Sequence, residues 1–180
     1  MSARQAARPV SLEEFLRLPE TEPSTELVDG VMEQKPVGKI RHARAQSRIL
    51  QFLMNHPATE GGVHFAQLGI RFPRSRPGNL RVPDVAYYAE ESAVETETDY
   101  PALPPDLAAE VRSQGQPLRV LRERLAFLRE QGTRCTLLID PEEQFVEVHD
   151  GPRTFTAGPA DEVRLDELGG FSFRAGQLFE

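Results

Sequence analysis

Lysine is nearly absent from this sequence. Of 21 basic residues in a chain of 180, only Lys35 and Lys39 are lysines, and none lies downstream of position 39. Arginine must supply the fixed positive charge through the rest of the chain, and arginine cannot give up its proton at working pH. The arginine-heavy, proline-rich usage is equally what a GC-rich or heat-adapted genome produces. Cysteine occurs once, which excludes an internal disulfide and a cysteine-rich zinc site. Cys135, in Arg-Cys-Thr-Leu-Leu-Ile, reads as a small buried apolar residue. No apolar stretch of roughly 7–15 residues opens the chain and no run approaches ~18, so neither secretion nor membrane spanning is signalled and the cytoplasm is the default expectation. Acids outnumber bases to a net charge of −7, which repels a polyanion on average, so contact with nucleic acid would need a local basic patch. Also missing are a helix-turn-helix, a zinc finger and a glycine-rich loop between strand and helix, which leaves a generic phosphate-binding scaffold without support.

What is present fits one core, because roughly 100–200 residues is the usual span of a domain. Residues 1–10 read as a flexible arm and 11–180 as a single domain. Ser11-Leu-Glu-Glu14 has the pattern of a capping box, so a short helix should run to about Leu18 and stop at Pro19. Glu26 to Gln34 is strand-like with Asp29-Gly30 as a turn signal inside it, which predicts a hairpin or bulge. From Arg41 to His56 the spacing is helical, with His42, Ala45, Ile49, Phe52 and Leu53 on one face. Val63 to Phe72 alternates as a strand. Arg71, Arg74, Arg76 and Arg81 then crowd a turn-rich stretch that predicts an exposed hairpin tip. Glu90 to Pro105 is acidic and reads as a surface loop. Leu107–Val111, a helix over Pro117–Gln131 and Arg134–Ile139 form strand, helix, strand, a right-handed crossover with a parallel pair. Gln144–His149 is a further strand, and short edge strands close the chain.

Two acids stand inside this apolar sequence: Asp84 in Arg81-Val-Pro-Asp-Val-Ala-Tyr-Tyr88 and Glu110 in Pro105-Asp-Leu-Ala-Ala-Glu-Val-Arg-Ser113. A lone charge in a buried strand is costly unless it is paired or bound to a cation. The period of two puts Glu110 and Arg112 on one face of their strand, with Val111 pointing the other way. Two acids and a nearby guanidinium are the parts needed for metal-assisted hydrolysis of a phosphodiester, with hard oxygen ligands that suit Mg²⁺ or Mn²⁺.

Glu26-Leu-Val-Asp-Gly30, His42 at a helix start, Pro83-Asp84-Val85, Glu110-Val-Arg-Ser113 and Leu138-Ile-Asp-Pro141 follow one another in the order found in the Uma-type family of restriction-endonuclease-like proteins. The chain resembles that family, part of the PD-(D/E)XK nuclease superfamily, from about Ser11 to His149 and on toward the C-terminus. The resemblance implies an α/β fold with a restriction-endonuclease-like central mixed sheet flanked by helices. It also implies a Mg (or Mn) site made by Asp84, Glu110 and the carbonyl of Val111, with Glu26 as an additional acid. The implied activity is hydrolysis of DNA without a covalent enzyme intermediate. The superfamily pattern expects lysine where this chain has Arg112, and Uma-type relatives often place one on the next helix, where it has Arg124. On this reading Arg112 or Arg124 acts as an electrostatic clamp on the phosphate.

Plainer readings stand beside these. Asp84 could cap a strand end, Glu110 and Arg112 could form an exposed ion pair worth ~0–1 kcal/mol, and Arg124 could be solvated charge on the flank of a leucine stripe. His42 is either a core-edge histidine or an accessory group beside the metal, and Glu26 either a site acid or an ordinary strand charge. Arg71, Arg74, Arg76 and Arg81 either contact a DNA backbone or simply solvate a hairpin. A nuclease fold that has lost catalysis and serves as a binding or assembly module is the rival to an enzyme. A homodimer would suit cleavage of both strands of a duplex.

Overall fold

In the computed structural model, residues 8–75, 78–89 and 99–180 are described. The expectations for the arm before residue 8, for Arg76 and for the acidic segment 90–98 fall outside them. Ser11 caps α1 (Leu12–Leu16) by accepting the Glu14 N–H while the Glu14 carboxylate accepts the Ser11 N–H, the reciprocal arrangement that the sequence pattern predicts. Asp29 and Gly30 both take positive φ, 49° and 82°, and turn β1 (Thr25–Val28) back into β2 (Val31–Gln34).

α2 (Ile40–Asn55) lays His42, Ala45, Ile49 and Leu53 against the sheet. The single strand expected over Val63–Phe72 is instead two. β3 (Val63–Ala66) and β4 (Ile70–Phe72) separate at Gln67, whose φ of 53° turns the chain out of one sheet and toward another. β4 pairs with β5 (Asn79–Arg81) in the hairpin the turn-rich sequence predicts. β6 (Val85–Tyr88) and β7 (Leu107–Val111) are antiparallel neighbours. α3 (Leu118–Glu130) crosses over to β8 (Cys135–Asp140), parallel to β7, as strand, helix, strand requires. β9 (Phe145–Asp150) and β10 (Arg153–Ala157) extend the sheet. β11 (Glu162–Leu165) and β12 (Phe171–Arg174) pair only with each other among the described residues, rather than edging the main sheet.

The main sheet is six-stranded and mixed, in the order β10-β9-β8-β7-β6-β3, and a second sheet runs β2-β1-β5-β4. Alternation along β6 and β7 divides the core between the helices. Val85, Tyr87, Leu107, Ala109 and Val111 meet α2, while Ala86, Tyr88 and Ala108 meet Leu121, Leu125 and Leu128 of α3. Each of those leucines is buried, a gain of about 1.5–3 kcal/mol per side chain before entropy. Phe171 and Phe173 of β12 pack into the α2 side, Phe173 stacking on Phe52 at 5.5 Å. This layering brings the C-terminal end of β7, the N-terminal end of β6, the start of α2 and the flank of α3 to one place.

Candidate active site

Asp84 sits where the chain enters β6 and is 2% exposed; Glu110, near the end of the neighbouring β7, is also 2% exposed. Asp84 Oδ2 accepts the Val111 N–H at 2.8 Å and lies 3.1 Å from His42 Nε2. Its Oδ1 accepts from Lys35 Nζ at 2.9 Å. The same ammonium lies 3.5 Å from Glu110 Oε2, so both carboxylates converge on one cation. Glu110 Oε1 accepts Arg124 Nε at 2.9 Å. Gln46, one turn along α2 from His42, donates to the Asp84 carbonyl at 2.7 Å and fixes the backbone beneath the acid.

Lys35 is the charged residue of this cluster for which the sequence alone indicated no role. It lies just beyond β2, where its N–H is pinned to the Ser24 carbonyl at 2.9 Å, and its ammonium also donates to the Val82 carbonyl. The superfamily pattern places its lysine downstream of Glu110, whereas here the chain leaving the second sheet brings one in from upstream. The usable signal was the rarity itself, one of two lysines among 21 basic residues.

Arg124 reaches the site from α3, but Arg112 does not share its position. Arg112 Nη1 donates to Asp140 Oδ2 at 2.7 Å and its Nε to the Gln116 carbonyl at 2.8 Å, and Asp140 is itself fixed by the N–H groups of Glu142 and Glu143. Arg112 therefore lines the rim of the neighbouring cleft rather than pairing with Glu110. Glu26 is fully buried, and both of its oxygens are engaged, by Val82 N–H and by two nitrogens of Arg124. It orients Arg124 in place of standing free as an extra ligand. Arg81 corrects the expected hairpin tip: it is 7% exposed and lies 4.4 Å over the Phe127 ring, because β5 is covered by α3. Arg71 is half-buried and Arg74 exposed. Arg76 falls outside the described residues.

Charge explains how this cluster survives burial. Burial alone would raise the Asp84 carboxyl, but the Lys35 ammonium, the His42 ring and the Val111 N–H hold it well below the usual carboxylate range. Burial pushes Glu110 up, only partly opposed by Arg124 and Lys35, with Asp84 and Glu26 adding to the rise. Lys35 and Arg124 lose by burial and gain more from Glu110 and the other acids, so both remain firmly cationic. The two carboxyls are driven in opposite directions, the pattern of an acid pair set apart by environment.

A hard cation fits the donor set in one respect: the position occupied by Lys35 Nζ is within reach of both carboxylates. Mg²⁺ is typically held by one or two carboxylates together with water and substrate phosphate, so two suffice. Among the described residues no group of three or more His, Cys, Asp or Glu is arranged to hold a metal by itself. Gly38, Lys39, Ile40, Arg41, His42, Arg112, Gln114, Pro141 and Glu142 line an open cleft of about 860 Å³ whose inner wall includes His42. Asp84 is not among the lining residues, so a ligand in the cleft reaches it past His42.

Comparison with known proteins agrees with this architecture. A family model, Uma2, described as "Putative restriction endonuclease", matches residues 12–175. A solved structure described as "a putative nuclease belonging to DUF820" from Anabaena variabilis is similar at a TM-score of 0.82 and 26% identity, over 95% of this chain and 98% of that one. No curated protein matches.

Proposed function

Since the chain belongs to the Uma2 family of restriction-endonuclease-like proteins, we propose that it is a Mg²⁺- or Mn²⁺-dependent endonuclease that hydrolyses DNA phosphodiester bonds at Asp84 and Glu110. The observation that carries the reading is the convergence of these two buried carboxylates on a single cationic position. A divalent ion held there by Asp84 and Glu110, with the Val111 carbonyl beside them, would neutralise charge on the phosphate and lower the pKa of water. The chain's own residues do the rest. The Val111 N–H and His42 hold the Asp84 carboxylate in one orientation, and Glu26 holds Arg124 with its guanidinium against Glu110. Lys35 ends in a compact charge on a flexible stem, so its ammonium can leave the carboxylates to meet a phosphate oxygen. Arg124, locked by two acids, stays as fixed positive charge and cannot relay a proton. The clamp expected from arginine alone is thus shared by Lys35 and Arg124.

A second reading has its own observation: the carboxylate oxygens of Glu26, Asp84 and Glu110 are already paired with protein donors. Such a closed cluster would suit a nuclease fold that binds or assembles without cutting. Calorimetric titration of Mn²⁺ into the protein with a DNA oligonucleotide separates the two. The nuclease reading expects binding that Glu110→Gln weakens severely; heat indistinguishable from dilution, in a folded protein, favours the silent module. Cutting both strands of a duplex would call for two such sites and hence a homodimer, whereas nicking needs one.

A further inference from the structure

The solvent-facing flank of α2 carries positive charge and no acid, against the net charge of the molecule. The 16 residues of the helix include Arg41, Arg44 and Arg48 and no acid, in a protein whose net charge is −7. These arginines recur at three and four residues, so they share one side of the helix, along the flank of the buried stripe of His42, Ala45, Ile49 and Leu53. Arg41 and Arg44 are exposed and Arg48 is half-exposed. Among the described residues none of the three has a carboxylate or hydrogen-bond partner. Most exposed arginines elsewhere are treated differently: Arg17, Arg119, Arg122, Arg134, Arg153 and Arg164 each pair with an acid, whereas Arg74 and Arg174 stand singly among the described residues. An unpaired stripe of like charge is self-repelling, and it lowers its energy when an anion covers it.

The stripe also leads to the chemistry. Arg41 and Lys39 line the same cleft as His42, whose other contact is Asp84. Arg112, in the same lining, is paired with Asp140, and Glu142 is the one acid there among the described residues. From Arg41 to Arg48 the helix rises about 10 Å, the length over which a duplex lying parallel to it advances about three base pairs along its axis. We propose that the Arg41–Arg44–Arg48 face of α2, continued by Lys39, is the track on which a phosphodiester backbone lies as it enters the Asp84 cleft. This rests on the nuclease reading for its direction, but not for the binding itself. The ligand chemistry is a run of evenly spaced phosphates, offered by DNA and RNA alike.

Fluorescence anisotropy in EDTA, where metal-dependent cleavage is off, tests the track with single-stranded DNA, duplex DNA, single-stranded RNA and phosphatidylserine vesicles as probes. The combined variant Arg41→Ala, Arg44→Ala, Arg48→Ala keeps the helix, because all three side chains are outside the core and alanine favours helix; circular dichroism verifies this. The expected result is binding of at least one nucleic acid by the native protein, weakened about tenfold or more in the variant. The slope of log K against log salt should fall by about 2.5 on duplex DNA, since each released phosphate contact contributes about 0.9. The control variant Arg119→Ala, Arg122→Ala, Arg153→Ala, which removes paired arginines, should leave the slope unchanged. Equal affinity and slope for the native protein and the α2 variant would overturn the track while leaving the nuclease reading intact. So would native protein that binds only vesicles, or no probe at all. Weakened binding in the α2 variant, in a protein that cuts nothing with any divalent metal, would keep the track and remove the nuclease reading.

Discussion

Lys35 is the residue on which the cluster depends most. Its ammonium is held among Asp84, Glu110 and the Val82 carbonyl with only 10% of the side chain exposed. Lys35→Met keeps the volume of the stem and removes the charge, leaving two buried carboxylates short of a partner. Breaking a buried pair in this way costs about 3–5 kcal/mol, a loss that urea denaturation at pH 7 would read directly. The sign of its pH dependence follows from the groups left behind. Glu110 already has a raised folded pKa, and losing Lys35 raises it further. An acid raised in the folded state contributes stability that is present below its unfolded value, near 4.3, and lost as pH rises through its folded value. Asp84, depressed in the native protein mainly by Lys35 against its burial, contributes stability present above its unfolded value and lost as pH falls, and the variant lacks most of that. The Asp84 part is lost only below about pH 4, near its unfolded value, so from pH 7 toward pH 4 the gap between native protein and Lys35→Met should narrow through Glu110 alone. A gap that is constant across that range would mean that Lys35 acts through packing alone. At this scale Asp84 and Glu110 were legible, because acids in β-rich apolar sequence demand compensation. Lys35 was not, because nothing in its neighbourhood of Gln34 and Pro36 records that a second sheet carries it 49 residues across the sequence to Asp84.

Among the elements, the connection from β2 to α2 does two jobs: it presents Lys35 to the acids and it sets the register of His42. Gly38 lies against the imidazole. A Cβ there would stand 2.3 Å from His42 Nδ1 and 2.7 Å from its Cγ, so any side chain must push the ring away from Asp84. If the site hydrolyses phosphodiesters, Gly38→Ala should lower the rate by up to about a hundredfold, the scale of a misplaced catalytic geometry, while far-UV dichroism stays native. Unchanged activity in that variant would show that the position of His42 is immaterial. Elements with local signals were readable in advance: the Ser11–Glu14 capping box, the Asp29-Gly30 turn, the apolar stripes of α2 and α3, and the crossover between β7 and β8. The break between β3 and β4 has only a faint signal, a shift in phase of the alternation from Val63 and Phe65 to Leu68, Ile70 and Phe72 at Gln67, where the positive φ divides the strands. β11 and β12 form a two-stranded sheet of their own instead of the expected edges, because short alternating strands look alike whichever sheet receives them.

For the whole molecule, charge governs how the site meets its substrate. A net charge of −7 slows encounter with a polyanion, and the basic residues that could offset it include the unpaired arginines of α2 beside the cleft. Cleavage should therefore be weak and fall steeply with salt. Arg81 shows why a run of arginines in sequence was a poor guide to the contact surface: the same residue type serves as a tip in one place and as a buried platform on Phe127 in another. The central claim is that Asp84 and Glu110 together support metal-dependent hydrolysis of a nucleic-acid backbone. The most direct measurement is nicking of supercoiled plasmid at low salt by native protein and by Asp84→Ala, each with Mg²⁺, Mn²⁺ or EDTA, alongside thermal melts of both proteins. The account predicts slow nicking by the native protein with either metal, none in EDTA, and none by a folded Asp84→Ala. Intact plasmid under every condition with native protein that melts cooperatively, or nicking that survives in the folded variant, would contradict it.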